Sequence, residues 1–147
     1  YSCYLCGYLH YSCAFFRPSN DSTIAAWAAK RRTDEDLADL HQCVAEAEAS
    51  LNDYERFIEL DVRFHSLLAR ASANQVAIIV TEVLGNVEKE TLRSKMLTLT
   101  PEGRIALGRR ILDTHSIILE AIRQQDSRAA RSAMQTHTKA AGRDLQL

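Results

Sequence analysis

Asp61 and His65 stand four residues apart in a stretch whose apolar residues recur at helical spacing, so their side chains share one helix face, one turn apart. A carboxylate and an imidazole meeting on such a face can hold a metal ion, form a catalytic pair or make a simple hydrogen bond. Two more histidines, His115 and His137, lie far off in sequence and matter only if the fold brings them to the same level. Together the four would offer one carboxylate oxygen and three neutral imidazole nitrogens. That donor set suits a divalent transition metal, zinc first, with nickel, manganese or iron(II) as alternatives, and it disfavours calcium, which takes oxygen ligands. On an octahedral ion, four such ligands would leave two adjacent positions open to a small carboxylate. Asn86 and Arg93 are seven apart and share one face of another helical stretch. Arg93 could grip a carboxylate through two guanidinium nitrogens, which makes this pair candidate effector-binding residues. The plainer alternative is that Asn86 and Arg93 face solvent and that each histidine packs on its own.

The elements that must position these groups are helices. Ala, Leu, Arg and Glu dominate from residue 24 on, and the 147 residues contain only two Pro and five Gly, which favours an all-α fold. A first helical pattern starts near Thr23 and reaches Arg32, with Trp27 expected in the core and Lys30, Arg31 and Arg32 at a solvated helix end. Thr33 reads as an N-cap, with Asp34, Glu35 and Asp36 at the positive end of a second helix. Asp53 caps a third helix, about 53–72, in which Asp61 and His65 flank an apolar stripe of Phe57, Ile58, Leu60, Phe64, Leu67 and Leu68. A fourth helix spans about 75–97, where Gly85 would let a neighbour approach closely. Pro101 opens a fifth, and Asp126 caps a sixth that runs to about residue 143. The expected architecture is an antiparallel bundle of about six helices joined by short loops.

In such a bundle, heights along the axes can be compared. At 1.5 Å per residue, His65 lies ~13 Å above the Asn74 end of its helix, and His115 and His137 lie ~15 Å and ~18 Å above the turn near Gln125. Asp61 is one turn above His65. The four residues thus fall within roughly one helical turn of a common level on three helices, so a shared metal site is expected.

Length and composition set the outer bounds. A chain of 147 residues, 46% hydrophobic and 25% charged, suits one globular domain with a sizeable core. The net charge of −1 gives no overall basic field for nucleic acid, so any DNA-reading part is expected outside this chain. No apolar run reaches membrane-spanning length. Of four cysteines, Cys3, Cys6 and Cys13 crowd the first thirteen residues and Cys43 sits in a helix, unlike an evenly spread disulfide framework, so a reducing, cytoplasmic setting is expected. Residues 1–22 are rich in Tyr, Cys and Phe without helical periodicity. They read as an atypical N-terminal segment, disordered or a fragment remnant, preceding a bundle at 23–147. Cys3, Cys6, His10 and Cys13 resemble a zinc site superficially, but their spacing is tighter than that of a zinc knuckle. Arg17-Pro18-Ser19-Asn20-Asp21-Ser22 reads as a turn-rich break.

Three runs resemble a known family. The first is Asp61-x3-His65 followed by Leu67-Leu68-x2-Ala71-Ser72-x-Asn74. The second is His115-x2-Ile118-x2-Ala121-Ile122-x3-Asp126-x3-Ala130-x3-Met134-x2-His137. The third is Ala25-Ala26-x-Ala28-Ala29-x3-Thr33-x-Glu35-Asp36-Leu37-x2-Leu40. Together they resemble the FCD domain, the C-terminal effector-binding module of FadR-type GntR transcription regulators, over about residues 24–140. The resemblance implies a dimerising antiparallel helical bundle that binds a small carboxylate metabolite at a metal. By position, the implied metal ligands are Asp61, His65, His115 and His137. It also implies that DNA is bound by a winged-helix domain, which nothing in this chain encodes. The residues before Ile24 do not match the family's first helix, which can contribute an Arg to the effector. The leading expectation is therefore a non-catalytic, metal-dependent sensor domain that forms homodimers. A metal-dependent hydrolase on a helical bundle is the alternative, since an open zinc position can activate water. A purely structural interaction module is the third.

Overall fold

The helices begin where the sequence supplies capping side chains. The Thr33 hydroxyl accepts the Asp36 N–H while the Asp36 carboxylate accepts the Thr33 N–H, a reciprocal capping box. Asp53 accepts the N–H of Arg56, and Asn74 accepts those of Val76 and Ala77. Thr100 accepts from Gly103 just ahead of Pro101, and Asp126 accepts from Arg128 and Ala129. In the computed structural model, which describes residues 20–145, α1 (20–31) comes first, and these caps open α2 (Asp34–Ala49), α3 (Tyr54–Ala71), α4 (Gln75–Leu97), α5 (Pro101–Arg123) and α6 (Ser127–Leu145). Among the described residues there is no strand, so the all-α expectation is met. The candidate zinc ligands Cys3, Cys6, His10 and Cys13 lie outside the described residues.

Three local expectations are corrected. Helix α1 already runs at residue 20, so Asn20, Asp21 and Ser22 are helical rather than part of a turn. Arg31 and Arg32 are not simply solvated. Arg31 Nη1 donates to the Ser72 carbonyl at 2.9 Å, and Arg32 Nη2 donates to the Arg123 carbonyl at 3.1 Å. They bring cations to the C-terminal ends of α3 and α5, where the helix dipole favours positive charge. Trp27 is half-buried rather than core, and the Arg31 guanidinium lies 5.5 Å from its ring centroid.

Helix α3 is the central strut, packed against α2, α4 and α5, while α5 also packs on α2 and α6, and α6 reaches α4. Phe57, Ile58, Leu60, Phe64 and Leu68 of α3 are buried with Leu40, Leu107, Ile118, Ile122 and Met134. Helix α1 adds Ile24 and the small residues Ala25, Ala28 and Ala29, whose short side chains let helices approach closely. Cys43 is buried in the α2–α3 contact and donates its thiol to the Leu60 carbonyl at 3.3 Å. Burial pushes that thiol up to about 11, which leaves it inert at neutral pH.

The turn between α5 and α6 fixes how His115 and His137 meet. Gln125 adopts φ 55°, the Asp126 N–H returns to the Ala121 carbonyl at 3.0 Å, and the Gln125 N–H returns to Ile122 at 3.0 Å. This is a Schellman closure with a non-glycine residue in the left-handed position. Replacing the exposed Gln125 by Gly should relieve that strain and stabilise the protein by about 1 kcal/mol, whereas Gln125→Val should destabilise it by about 1 kcal/mol or more. Urea unfolding midpoints of the two variants check both signs.

Candidate metal centre

Three histidines from three helices meet at one level. His65 of α3, His115 of α5 and His137 of α6 are 5%, 2% and 6% exposed. Each offers a ring nitrogen, and these nitrogens all lie within 4.8 Å of one another. Ring centroids are 5.5 Å apart for His65 and His115, 5.3 Å for His65 and His137, and 4.8 Å for His115 and His137. Asp61, one turn from His65, brings Oδ1 to 3.5 Å from His115 Nε2. The three histidines thus form one cluster, and Asp61 stands beside it against His115.

The surroundings dictate the charge state. Phe64 stacks on His115 with centroids 4.0 Å apart and an interplanar angle of 16°, backing the imidazole with an apolar plate. Burial, and secondarily the neighbouring His137, hold His115 well below its ordinary value of 6.5, so its ring is neutral at physiological pH. Its Nε2 is buried and makes no hydrogen bond. A buried neutral imidazole with an unused ring nitrogen, two more histidines and a carboxylate close by can hold a divalent transition metal, which takes neutral imidazole nitrogen and carboxylate oxygen.

Beside the centre opens a cavity of about 600 Å³, walled by Asp61, His65 and His137 on one side and by α4, α5 and the last turns of α6 on the others. Asn86 and Arg93 do not line it. Asn86 is exposed, and Arg93 forks onto Glu55 of α3, with Nε at 3.1 Å and Nη2 at 2.7 Å, while also pairing with Glu90. The face that α4 turns inward carries Leu84, Val87, Glu88, Thr91 and Leu92 instead. Glu88 and Thr91 were the polar residues to look for. They interrupt the apolar positions 84, 87 and 92, and a polar residue within an apolar stripe is the sequence signal of a wetted inner face. Gly85 does allow a close approach, since a Cβ there would lie 3.1 Å from Val62 Cγ1 of α3.

A helical bundle with a buried histidine cluster at its heart and a ligand-sized cavity alongside defines an all-α domain built around an internal site. The FCD domain family model matches residues 21–140, and the chain belongs to that family, whose members here are GntR-family transcription regulators. One relative is the galactonate operon transcriptional repressor of Escherichia coli (strain K12), 29% identical over 125 residues, covering 85% of this chain and 52% of that protein. Another is the HTH-type transcriptional repressor NanR of Salmonella newport (strain SL254), 30% identical over 125 residues, covering 80% of this chain and 44% of that protein. The chain therefore spans about half the length of the curated relatives it matches. Among solved structures, Streptococcus agalactiae GntR superposes with a TM-score of 0.73 at 26% identity, covering 97% of this chain and 60% of that one. E. coli McbR/YncC shares the fold, with a TM-score of 0.80 at 18% identity over 92% of this chain and 63% of that one.

The depressed basicity of His115 has a consequence for stability. Unfolded, His115 takes up a proton near pH 6.5; folded, it does so only at lower pH. Its contribution is therefore complete above about pH 6.5 and is lost as pH falls toward the folded value, at up to about 1.4 kcal/mol per pH unit. Urea midpoints of metal-free protein should fall between pH 7 and pH 5, and His115→Phe, which keeps an aromatic ring against Phe64, should flatten that slope.

Proposed function

We propose that this chain is the metal-dependent, effector-binding and dimerising domain of a GntR/FadR-type transcription regulator, sensing a small carboxylate metabolite without catalysing a reaction. The observation that carries this reading is the buried His65–His115–His137 cluster bordering a ligand-sized cavity. Asp61, His65, His115 and His137 would hold the ion, zinc first, with nickel, manganese or iron as alternatives. The ion would supply a Lewis-acidic anchor for the effector carboxylate. The chain's own residues supply the rest. Phe64 holds the His115 ring in place, Leu84, Val87 and Leu92 give the cavity an apolar wall, and Thr91 and Thr138 offer hydroxyls to a polar ligand. The name of the E. coli relative makes a hydroxylated acid such as galactonate the first effector to try.

Binding at a point shared by α3, α5 and α6 would shift those helices, and with them any attached DNA-binding domains. DNA contact itself is assigned to a winged-helix domain outside this chain. The relatives, being repressors, support the sensor reading over the hydrolase alternative. No helix among the described residues is long and apolar enough to cross a membrane, and the domain is assigned to the cytoplasm with the regulator. The partner for dimerisation is a second copy meeting the outer face of α4. There Val76, Ile79 and Val83 are 69%, 59% and 67% exposed at helical spacing, and a twofold axis would lay the same stripe on itself.

Purified protein should carry about one metal per chain, and the double variant His115→Ala/His137→Ala should carry none; a double variant with full metal content would sink the shared site. Metal-loaded protein should gain up to about 2.7 kcal/mol of stability from galactonate or a dicarboxylate at a hundred times its Kd, with the gain lost after chelation. Turnover of ester or amide substrates would instead favour the hydrolase. Ile79→Glu/Val83→Glu should sediment as a monomer where the parent chain sediments as a dimer.

A further inference from the structure

His137 Nδ1 lies 2.8 Å from Thr114 Oγ1, and the same Oγ1 lies 2.8 Å from the Ile111 carbonyl, one turn back on α5. A hydroxyl has one hydrogen and a carbonyl can only accept, so the 2.8 Å approach to Ile111 is a hydrogen bond only when the Thr114 hydrogen points there. The lone pairs of Oγ1 are then left to accept, and what they accept is a proton-bearing Nδ1. In the neutral form that a metal ligand must take, an imidazole has a single N–H. With that hydrogen on Nδ1, Nε2 carries the lone pair.

We infer that Thr114 is a positioning residue that fixes His137 as its Nδ1–H tautomer and so presents Nε2 as the ligand nitrogen of the centre. The inference rests on the metal-site reading proposed above. Its geometric basis is that Thr114 and His115 are consecutive on α5. Neighbouring helix positions point ~100° apart, so one residue can turn toward α3 while the other turns toward α6. His115 stacks on Phe64 of α3, and Thr114 reaches His137 of α6. Two adjacent residues thus serve one centre, the first through its own ring nitrogen and the second by orienting the ring opposite. Metal-bound histidines commonly depend on such a partner at the other ring nitrogen, which sets both tautomer and ring angle. The reversed arrangement, with Thr114 donating to Nδ1, would put the hydrogen of His137 on Nε2, deprive the centre of that nitrogen and leave the Ile111 contact without its hydrogen.

The test uses the whole chain and two readouts. In metal-free wild type at pH 8, the ¹⁵N shifts of the His137 ring should show Nδ1 protonated and Nε2 bare. Thr114→Val, which removes the hydroxyl and keeps the shape, should mix the tautomers and weaken zinc binding by about 10- to 100-fold in competition with a chromophoric chelator. Thr114→Ser should restore both. A wild-type His137 protonated on Nε2, or a folded Thr114→Val variant with unchanged tautomer and unchanged zinc affinity, overturns the positioning role. Wild type that fails to compete for zinc overturns the metal-site reading instead, and the ¹⁵N shifts then decide the role of Thr114 alone. Should Thr114→Val fail to fold, the wild-type shifts and the Thr114→Ser affinity still decide it.

Discussion

The burial of three imidazoles in the middle of a helical bundle is the constraint on which the rest of the structure depends. A polar group taken from water without compensation costs about 1–3 kcal/mol, and a charged one costs far more. His65, His115 and His137 therefore depend on neighbours that offset the water they lose. Phe64 lies flat against His115, and Thr114 reaches Nδ1 of His137. The deepest ring, His115, is held neutral by its burial, and its Nε2 has no hydrogen bond within the protein. A buried nitrogen in that state is a standing cost that a ligand can offset, so the stability of the bundle and the chemistry of its centre are linked.

That constraint explains why the helix ends are so carefully closed. The histidines meet only if three helices keep their heights, and heights are set at the ends. Asp53 starts α3, Thr100 starts α5, and Asp126 starts α6 immediately after the left-handed turn at Gln125. Arg31 and Arg32 reach from the end of α1 to the carbonyl ends of α3 and α5, so the two helices carrying His65 and His115 are tied to a common neighbour. A slip of one residue would move a ring by ~1.5 Å along the axis and turn it by ~100°, enough to take it out of the cluster.

Much of this was legible in the sequence because it depends on local rules. The caps at Thr33, Asp53 and Asp126 and the proline at Pro101 announce helix starts, and the fixed rise per residue converts sequence distance into height. The level shared by His65, His115 and His137 follows from counting from the Asn74 end of α3 and from the turn near Gln125. The roles of Arg31 and Arg32 were not legible, because a run of cations at a helix end looks the same whether it faces water or the carbonyl end of another helix. The same holds for Thr114, whose partner on α6 is 23 residues away.

The sequence by itself determined the helices, their order and the height at which the donor groups stand, since helix rise and capping are properties of the chain within a few residues. Only the tertiary structure decided which way each helix is turned about its axis. On α4, the face carrying Asn86 and Arg93 is as regular as the one carrying Glu88 and Thr91. The close approach of Gly85 to Val62 and the pull of Glu55 on Arg93 turn the second face to the cavity and the first away. Rotation about the axis leaves a helix's own hydrogen bonds intact, so nothing within the helix chooses it and packing against its neighbours must.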